Sequence, residues 1–421
     1  HPSATVDKIL NEELTFELYK DNAVCANGAM YRKDVRGFLP ELMEKIYKDR
    51  TVYKKKMLQA KQDYEKTPTK ALEKEIARCN NIQMARKIQL NSAYGAIGNQ
   101  YFRYYKLANA EAITLSGQVS IRWIENRMNG YLNKLLQTEG EDYVIASDTD
   151  SIYLNMGPLV NKFFSGKSGD KNAIVEILDK ICEDKLEPFI EQSYTKLADY
   201  VQAYEQKMIM KRENIAERGI WTAKKRYILN VWNSEGVQYT EPKLKMMGIE
   251  AVKSSTPAPC RQMIKDGLKL MMNGTEDDVI KFIDECRVKF KSLPPEEIAF
   301  PRSVSDVVKY RSHSDIYVKG TPIHCRGALL FNHYIKQHKL TNKYSLINNG
   351  EKIKFIYLKK PNIIQENVIS FIQDFPKELG LDKYLDYDLQ FEKSFVEPLK
   401  AILDAIGWSV EKTVNLELFF A

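Results

Sequence analysis

Tyr143-Val144-Ile145-Ala146-Ser147-Asp148-Thr149-Asp150-Ser151-Ile152-Tyr153-Leu154 is the stretch at which the sequence changes character. Apolar residues recur at helical spacing before it. Here two short runs rich in β-branched and aromatic residues flank Asp-Thr-Asp-Ser, the pattern of a β-hairpin. On extended backbone, residues two apart face the same way, so Asp148 and Asp150 are expected to project together. Paired carboxylates repel unless a cation lies between them. Two divalent ions are the usual solution where phosphoryl groups are transferred. Mg²⁺ suits such a site because it takes few protein carboxylates and completes its shell with phosphate oxygens and water. The same tetrapeptide is also good turn chemistry, each side chain being able to bond its own backbone, so it decides nothing alone.

Upstream, residues 1 to 40 mix short apolar runs with turns at Asn27-Gly28 and Arg36-Gly37. Leu39-Pro40 precedes a long helical pattern through Leu42, Met43, Ile46, Tyr47, Tyr53, Met57 and Ala60, whose other face is basic (Lys45, Lys48, Arg50, Lys54, Lys55, Lys56, Lys61). Thr67-Pro68 breaks it. A second helix spans about 70 to 96, with Gly98-Asn99 as its stop, and the two read as an antiparallel helical hairpin. Lys87, Asn91, Tyr94 and Gly95 fall on one face of the second helix: a cation, an amide, a phenol and a missing side chain. With Arg50 and Lys54, one turn apart on the first helix, Lys87 could form a three-cation cradle for a triphosphate. The alternative is that Arg50 and Lys54 are ordinary solvated charges. A third helix is expected over about 108 to 136.

Downstream, Lys167 to Asn172 reads as a polar loop and 173 to 213 as helices. Next come β-rich stretches over 225–232 and 236–247 and a mostly helical remainder with β character near 323–330 and 353–358. The whole predicts an α+β chain. At 421 residues, 44% hydrophobic, it is long enough for two or three subdomains. A net charge of +7 suits a polyanionic partner but also an ordinary basic protein. The six cysteines form no CxxC pair, and no zinc site is visible; a reducing compartment fits them best. No apolar run approaches the ~20 residues of a membrane span, and no membrane partner is expected.

Three motifs in order carry a resemblance. Lys87-Ile88-Gln89-Leu90-Asn91-Ser92-Ala93-Tyr94-Gly95 resembles motif B, KxxxNSxYG, of family B DNA polymerases. Asp148-Thr149-Asp150-Ser151 resembles their motif C, DTDS, and Lys224-Lys225-Arg226-Tyr227 their KKRY motif. Phe102-Arg103-Tyr104-Tyr105, Met247-Gly248-Ile249-Glu250 and Lys253-Ser254-Ser255-Thr256-Pro257 resemble the branch found in large tailed bacteriophages. The resemblance implies a polymerase right-hand fold. Residues 1–40 would be a palm segment leading into the fingers, 41–99 the helical-hairpin fingers, 100–252 a palm with an antiparallel sheet, and 253–413 a mostly helical thumb. It implies template-directed addition of dNMP to a primer 3′-OH in the cytoplasm of an infected bacterium, with primer-template DNA and dNTP as partners. The cofactor would be two Mg²⁺ ions, for which Mn²⁺ could substitute. Asp148 and Asp150 would be catalytic and metal-binding. Lys87 would act on the triphosphate with Arg50 and Lys54, while Asn91 and Tyr94 flank the nascent pair. Tyr94 and Gly95 with Lys224, Lys225, Arg226, Tyr227, Lys253 and Ser254 would contact DNA. In the tail, residues 414–421, Leu416, Leu418, Phe419 and Phe420 would anchor a sliding clamp; the alternative is a tail packed on its own domain.

The family's motif A, a DxxSLYPS-like strand carrying another metal-binding aspartate, is absent, as is an exonuclease domain. Asp7, Glu12, Glu13, Asp21 and Asp34 lack its context, and residue 1 is His. The expectation is a C-terminal portion that works with an N-terminal polymerase fragment bearing motif A and the exonuclease. A non-catalytic primer-template binding module that docks a clamp is the main alternative. A reverse transcriptase fits the pairing of KxxxNSxYG with KKRY less well, and a clamp-binding adaptor is weaker still.

Overall fold

The computed structural model describes residues 1–164, 170–312 and 315–412. The chain is α+β, with small sheets of two or three strands among long helices. It packs as two compact units: residues 1–217 with 231–243, and residues 218–230 with 244 onward.

In the first unit, α1 (Val6–Leu10) and a hairpin of β1 (Asn22–Val24) and β2 (Met30–Arg32) lead into α2 (Phe38–Lys66) and α3 (Lys70–Ile97). Pro40 is harmless in the first turn of α2, where its missing N–H would have no intrahelical acceptor. Thr69 starts α3 by accepting from the Leu72 N–H at 3.2 Å, and Gly98 caps its end. The expected break between the two helices is therefore real. Little apolar surface joins them: Met57, Ala60, Cys79 and Gln83 are their buried residues. Polar bonds add to this, Tyr64 to Glu73 at 2.9 Å and Arg86 to Asp49 at 2.5 Å. The main core of the unit lies elsewhere, around α4 (Leu107–Leu136), whose Trp123, Ile124, Met128 and Leu132 are buried. Against it pack β3 (Val144–Asp148), β4 (Ser151–Leu154), α5 (Gly157–Phe164), α6 (Lys171–Ile181) and α7 (Glu187–Tyr200). The Trp123 indole N–H donates to the Ser193 carbonyl at 2.9 Å, which satisfies the one polar atom of that buried ring.

Three strands, β5 (Asn214–Ala223), β6 (Arg226–Ser234) and β7 (Val237–Met247), form a sheet in that order, joined by two-residue turns. The second unit then continues with α8 (Ala258–Asn273), α9 (Glu276–Phe290), α10 (Pro295–Ile298), β8 (Phe300–Ser303), α11 (Ile323–Gln337), β9 (Lys352–Tyr357), β10 (Val368–Phe371), α12 (Tyr387–Phe391) and α13 (Glu397–Leu403). β9 lies between β8 and β10, antiparallel to both. Thr275 and Asp278 cap α9 reciprocally. The core is aromatic, with Phe290, Phe391 and Phe395 in contact and almost without exposure.

Several sequence expectations need correction. Residues 201–213 are not helical: α7 ends at Tyr200, whose hydroxyl is tied to Leu14, and Gln202 has φ +55°. Residues 214–223 form β5, although their glycine and charged residues give little β signal. Residues 323–330 belong to α11, because a short apolar run buried on most sides has no readable period. The four-residue strands β8 and β10 were too short to expect.

At Gly327 of α11 a Cβ would meet the Ser370 Oγ at 2.4 Å and its N at 2.9 Å. Gly327→Ala is therefore expected to lower stability by about 1–3 kcal/mol, despite alanine's better helix propensity. The denaturant midpoint reads this, and an unchanged midpoint would refute so close a packing of α11 on β10.

Candidate active site

Asp148 ends β3 opposite Ser151 of β4, so the loop between them is only Thr149-Asp150. Thr149 takes the left-handed conformation (φ +58°), and the Asp150 N–H donates to the Asp148 carbonyl at 2.6 Å. The Thr149 hydroxyl donates to Asp148 Oδ1 at 2.9 Å, and that of Ser151 to the Asp148 carbonyl at 3.2 Å. The expected reason for Asp148 and Asp150 to point together, extended backbone through both, does not hold. Asp150 lies in the loop, and it is the tight turn that brings both carboxylates to one end of the hairpin. Asp148 is half-buried and Asp150 exposed.

Helix α4 fixes the base of this hairpin. Asn129 Oδ1 accepts from the N–H groups of Tyr143 at 2.9 Å and Val144 at 3.0 Å. Asn133 Nδ2 donates to the Glu141 carbonyl at 2.7 Å. These asparagines escaped the sequence reading; their one signal was an amide pair at i, i+4 just before a β run. Asp150 also makes itself felt on α7: burial, and then the negative charge of Asp150, push the Tyr194 hydroxyl up to about 12. Two carboxylates offering only oxygen suit a hard ion such as Mg²⁺. They do not enclose one, for no group of three or more His, Cys, Asp or Glu side chains could hold a metal among the described residues.

On α3, Lys87, Asn91, Tyr94 and Gly95 are all exposed, and nothing lies within 4 Å of a Cβ built on Gly95. The side chains of Lys87, Asn91 and Tyr94 make no hydrogen bond or ion pair with any described residue. Such a stripe is open to a ligand. The Arg86–Asp49 pair sets α2 beside α3 so that Arg50 lies near the level of Lys87. The two α2 cations differ. Lys54 pairs with Glu235 at 2.7 Å, whereas the Arg50 Nε is buried without a hydrogen-bond partner among the described residues.

In the second unit, Lys224-Lys225 is the two-residue turn from β5 to β6, and Lys225 has φ +60°. Arg226 forms a fork with Glu250 at 2.8 and 2.9 Å and donates to the Gly248 carbonyl at 2.7 Å. Tyr227 is buried. Gly248 has φ +65°, and a Cβ there would lie 2.2 Å from the Lys225 carbonyl oxygen. Residues 247–250 thus brace the lysine turn from beneath. Arg226, through its bonds to Glu250 and Gly248, and the buried Tyr227 hold that turn in place. Lys253 Nζ also reaches Glu250 at 2.9 Å, and Ser254 is exposed. Leu416, Leu418, Phe419 and Phe420 lie outside the described residues.

Comparison with known proteins places these features. Residues 4–166, which hold α2, α3, α4 and the carboxylate hairpin, match the profile of DNA polymerase family B. The chain is 33% identical to the DNA-directed DNA polymerase of Escherichia phage RB69 over 93% of its own length and 49% of that protein. It is 30% identical to that of Enterobacteria phage T4 over 94% and 49%. A DNA polymerase 1 of Pyrococcus abyssi is 24% identical over 91% and 41%. The chain spans about half the length of the two phage relatives (49%).

Glu250 supplies a measurable signature. Burial tends to raise its pKa, but the bonds from Arg226 and Lys253 outweigh this and take it from 4.5 to about 2. A carboxylate lowered in the folded state stabilises above its unfolded pKa and loses that contribution as pH falls through the folded one. On the order of 3 kcal/mol should therefore fade between about pH 4.5 and 2. Glu250→Gln is expected to flatten the acid limb of a stability-against-pH curve in that window. An acid limb identical to that of the unaltered chain would contradict this.

Proposed function

The chain is a relative of the family B DNA polymerases, and from that premise we propose that it is the C-terminal, polymerising portion of a replicative DNA polymerase acting in an infected bacterium. The observation that carries the reading is the pairing, within one compact unit, of the Asp148–Asp150 hairpin with the open Lys87, Asn91, Tyr94 stripe, both inside the segment that matches the family. In a right-hand arrangement α2 and α3 would be fingers, residues 1–40 and 100–252 palm, and 253–413 thumb.

Each residue has a role in this proposal. Lys87 and Arg50 bind and orient the dNTP phosphates, Arg50 through the donor it now leaves unmatched, and Lys54 joins them. Their positive charge stabilises charge growing on the leaving pyrophosphate. Tyr94 and Asn91 line the base pair, with Gly95 leaving room for close approach. Lys224 and Lys225, at the tip of their braced turn, hold the primer strand, with Lys253 and Ser254 on its phosphates. A lysine in the minor groove meets acceptors at every base pair, so it tests shape without reading sequence. Asp148 and Asp150 would hold two Mg²⁺, whose chemistry is to stabilise the attacking and departing oxygens. Two carboxylates need a further donor, and a motif A aspartate from an N-terminal polymerase segment that also bears the exonuclease would supply it. The tail residues Leu416, Leu418, Phe419 and Phe420 would dock a sliding clamp.

Primer extension with dNTPs and Mg²⁺ tests this, run with the chain alone and with such a segment added. Synthesis on mixing, lost in Asp150→Ala and about 10- to 100-fold weaker in dNTP use in Lys87→Ala, is the expected result. That no group of three or more candidate ligands among the described residues could hold a metal favours a second reading, a non-catalytic primer-template holder. Silence under every condition with DNA binding intact would establish that reading instead. Deleting Leu416 to Ala421 should abolish clamp binding, and unchanged binding would remove the tail from the proposal.

A further inference from the structure

Lys54 is held by a residue that lies outside the three motifs. Glu235 opens the two-residue turn between β6 and β7, where it and Gly236 are both left-handed (φ +53° and +88°). Its carboxylate lies 2.7 Å from Lys54 Nζ, with the two side chains only 25% and 33% exposed. The same strand pair touches α2 twice more. The Gln238 N–H donates to Gln62 Oε1 at 3.3 Å, and Lys243 Nζ donates to Glu65 Oε1 at 2.5 Å. Lys54, Gln62 and Glu65 fall on one side of the helix, and Arg50, four residues before Lys54, shares it. On that side, then, one cation is matched by a carboxylate from the turn, and the next has a buried Nε with no acceptor among the described residues.

We propose that Glu235 is an internal stand-in for nucleotide phosphate: it occupies Lys54 while the site is empty and is displaced when a triphosphate binds. The proposal rests on the reading of Arg50, Lys54 and Lys87 as triphosphate-binding cations. Displacement breaks one of the bonds that fasten α2 to the β6–β7 hairpin, so nucleotide binding loosens the helix that carries it. A small anion that engages Lys54 alone must compete with Glu235 on equal terms. A triphosphate that also reaches Arg50 and Lys87 gains contacts Glu235 cannot supply, so it displaces the carboxylate at concentrations where a small anion does not, although both meet the same competition. An apparent dissociation constant rises by the factor with which the competing closed state is populated. For an ion pair near the surface that factor is about twofold to sixfold.

Calorimetric titration of the whole chain with inorganic tripolyphosphate, and separately with dATP, tests this without needing synthesis. Glu235→Gln and Glu235→Ala should each tighten binding about twofold to sixfold, while Lys87→Ala and Lys54→Ala weaken it; melting curves check that all variants fold. If the lysine variants weaken binding but both Glu235 variants leave it unchanged or weaker, Glu235 is no competitor and the triphosphate site stands without it. If the lysine variants change nothing, the triphosphate reading falls and takes this proposal with it.

Discussion

Asp148 and Asp150 place two carboxylates on a two-residue hairpin loop, where like charges are tolerated only if solvent or a cation compensates them. Everything around them serves to keep that loop tight. The left-handed Thr149 closes it, and the hydroxyls of Thr149 and Ser151 occupy lone pairs on Asp148. The asparagines of α4 tie down its base. α4 in turn runs through the core of its unit, anchored by Trp123. The charge pair is therefore held by a packed core and not by a mobile loop, which is what binding of a geometrically demanding ion requires.

The cations are arranged by the opposite principle. α2 and α3 share few buried apolar residues, so helix propensity, caps and surface pairs carry much of their stability. Lys87, Asn91 and Tyr94 have no side-chain partner among the described residues, while Arg226 in the second unit is engaged by Glu250 and Gly248. That difference separates residues available to a ligand from residues that shape the backbone. Lys225 gains its position at a turn tip because Arg226, Gly248 and Glu250 brace that turn.

How much of this could be read from the sequence depended on range. α2, α3 and α4 were legible nearly to the residue because their signals are local: Thr69 as a cap, Pro68 as a break, Gly98 as a stop. The β3–β4 hairpin was legible through its β-branched flanks and Asp-Thr-Asp-Ser turn. β5 was not, since Glu217, Arg218 and Gly219 are poor strand formers that β6 holds in the sheet. The candidate ligand contacts were visible as motifs, but their partners were not. Glu235 reaches Lys54 and Asn129 reaches Tyr143 across distances in sequence that no local pattern encodes. The same limit applies to Arg226, whose partners Gly248 and Glu250 lie more than twenty residues further along the chain.

That the Asp148–Asp150 hairpin is a metal site can be tested independently of synthesis. Fe²⁺ would replace Mg²⁺ in the chain bound to primer-template and dNTP, and peroxide with ascorbate would generate radicals at the bound ion. Backbone cleavage confined to the neighbourhood of Asp148 to Ser151, and lost in Asp150→Ala, is the predicted result. Cleavage elsewhere, or a pattern that Asp150→Ala leaves unchanged, would contradict the assignment of these carboxylates to the metal.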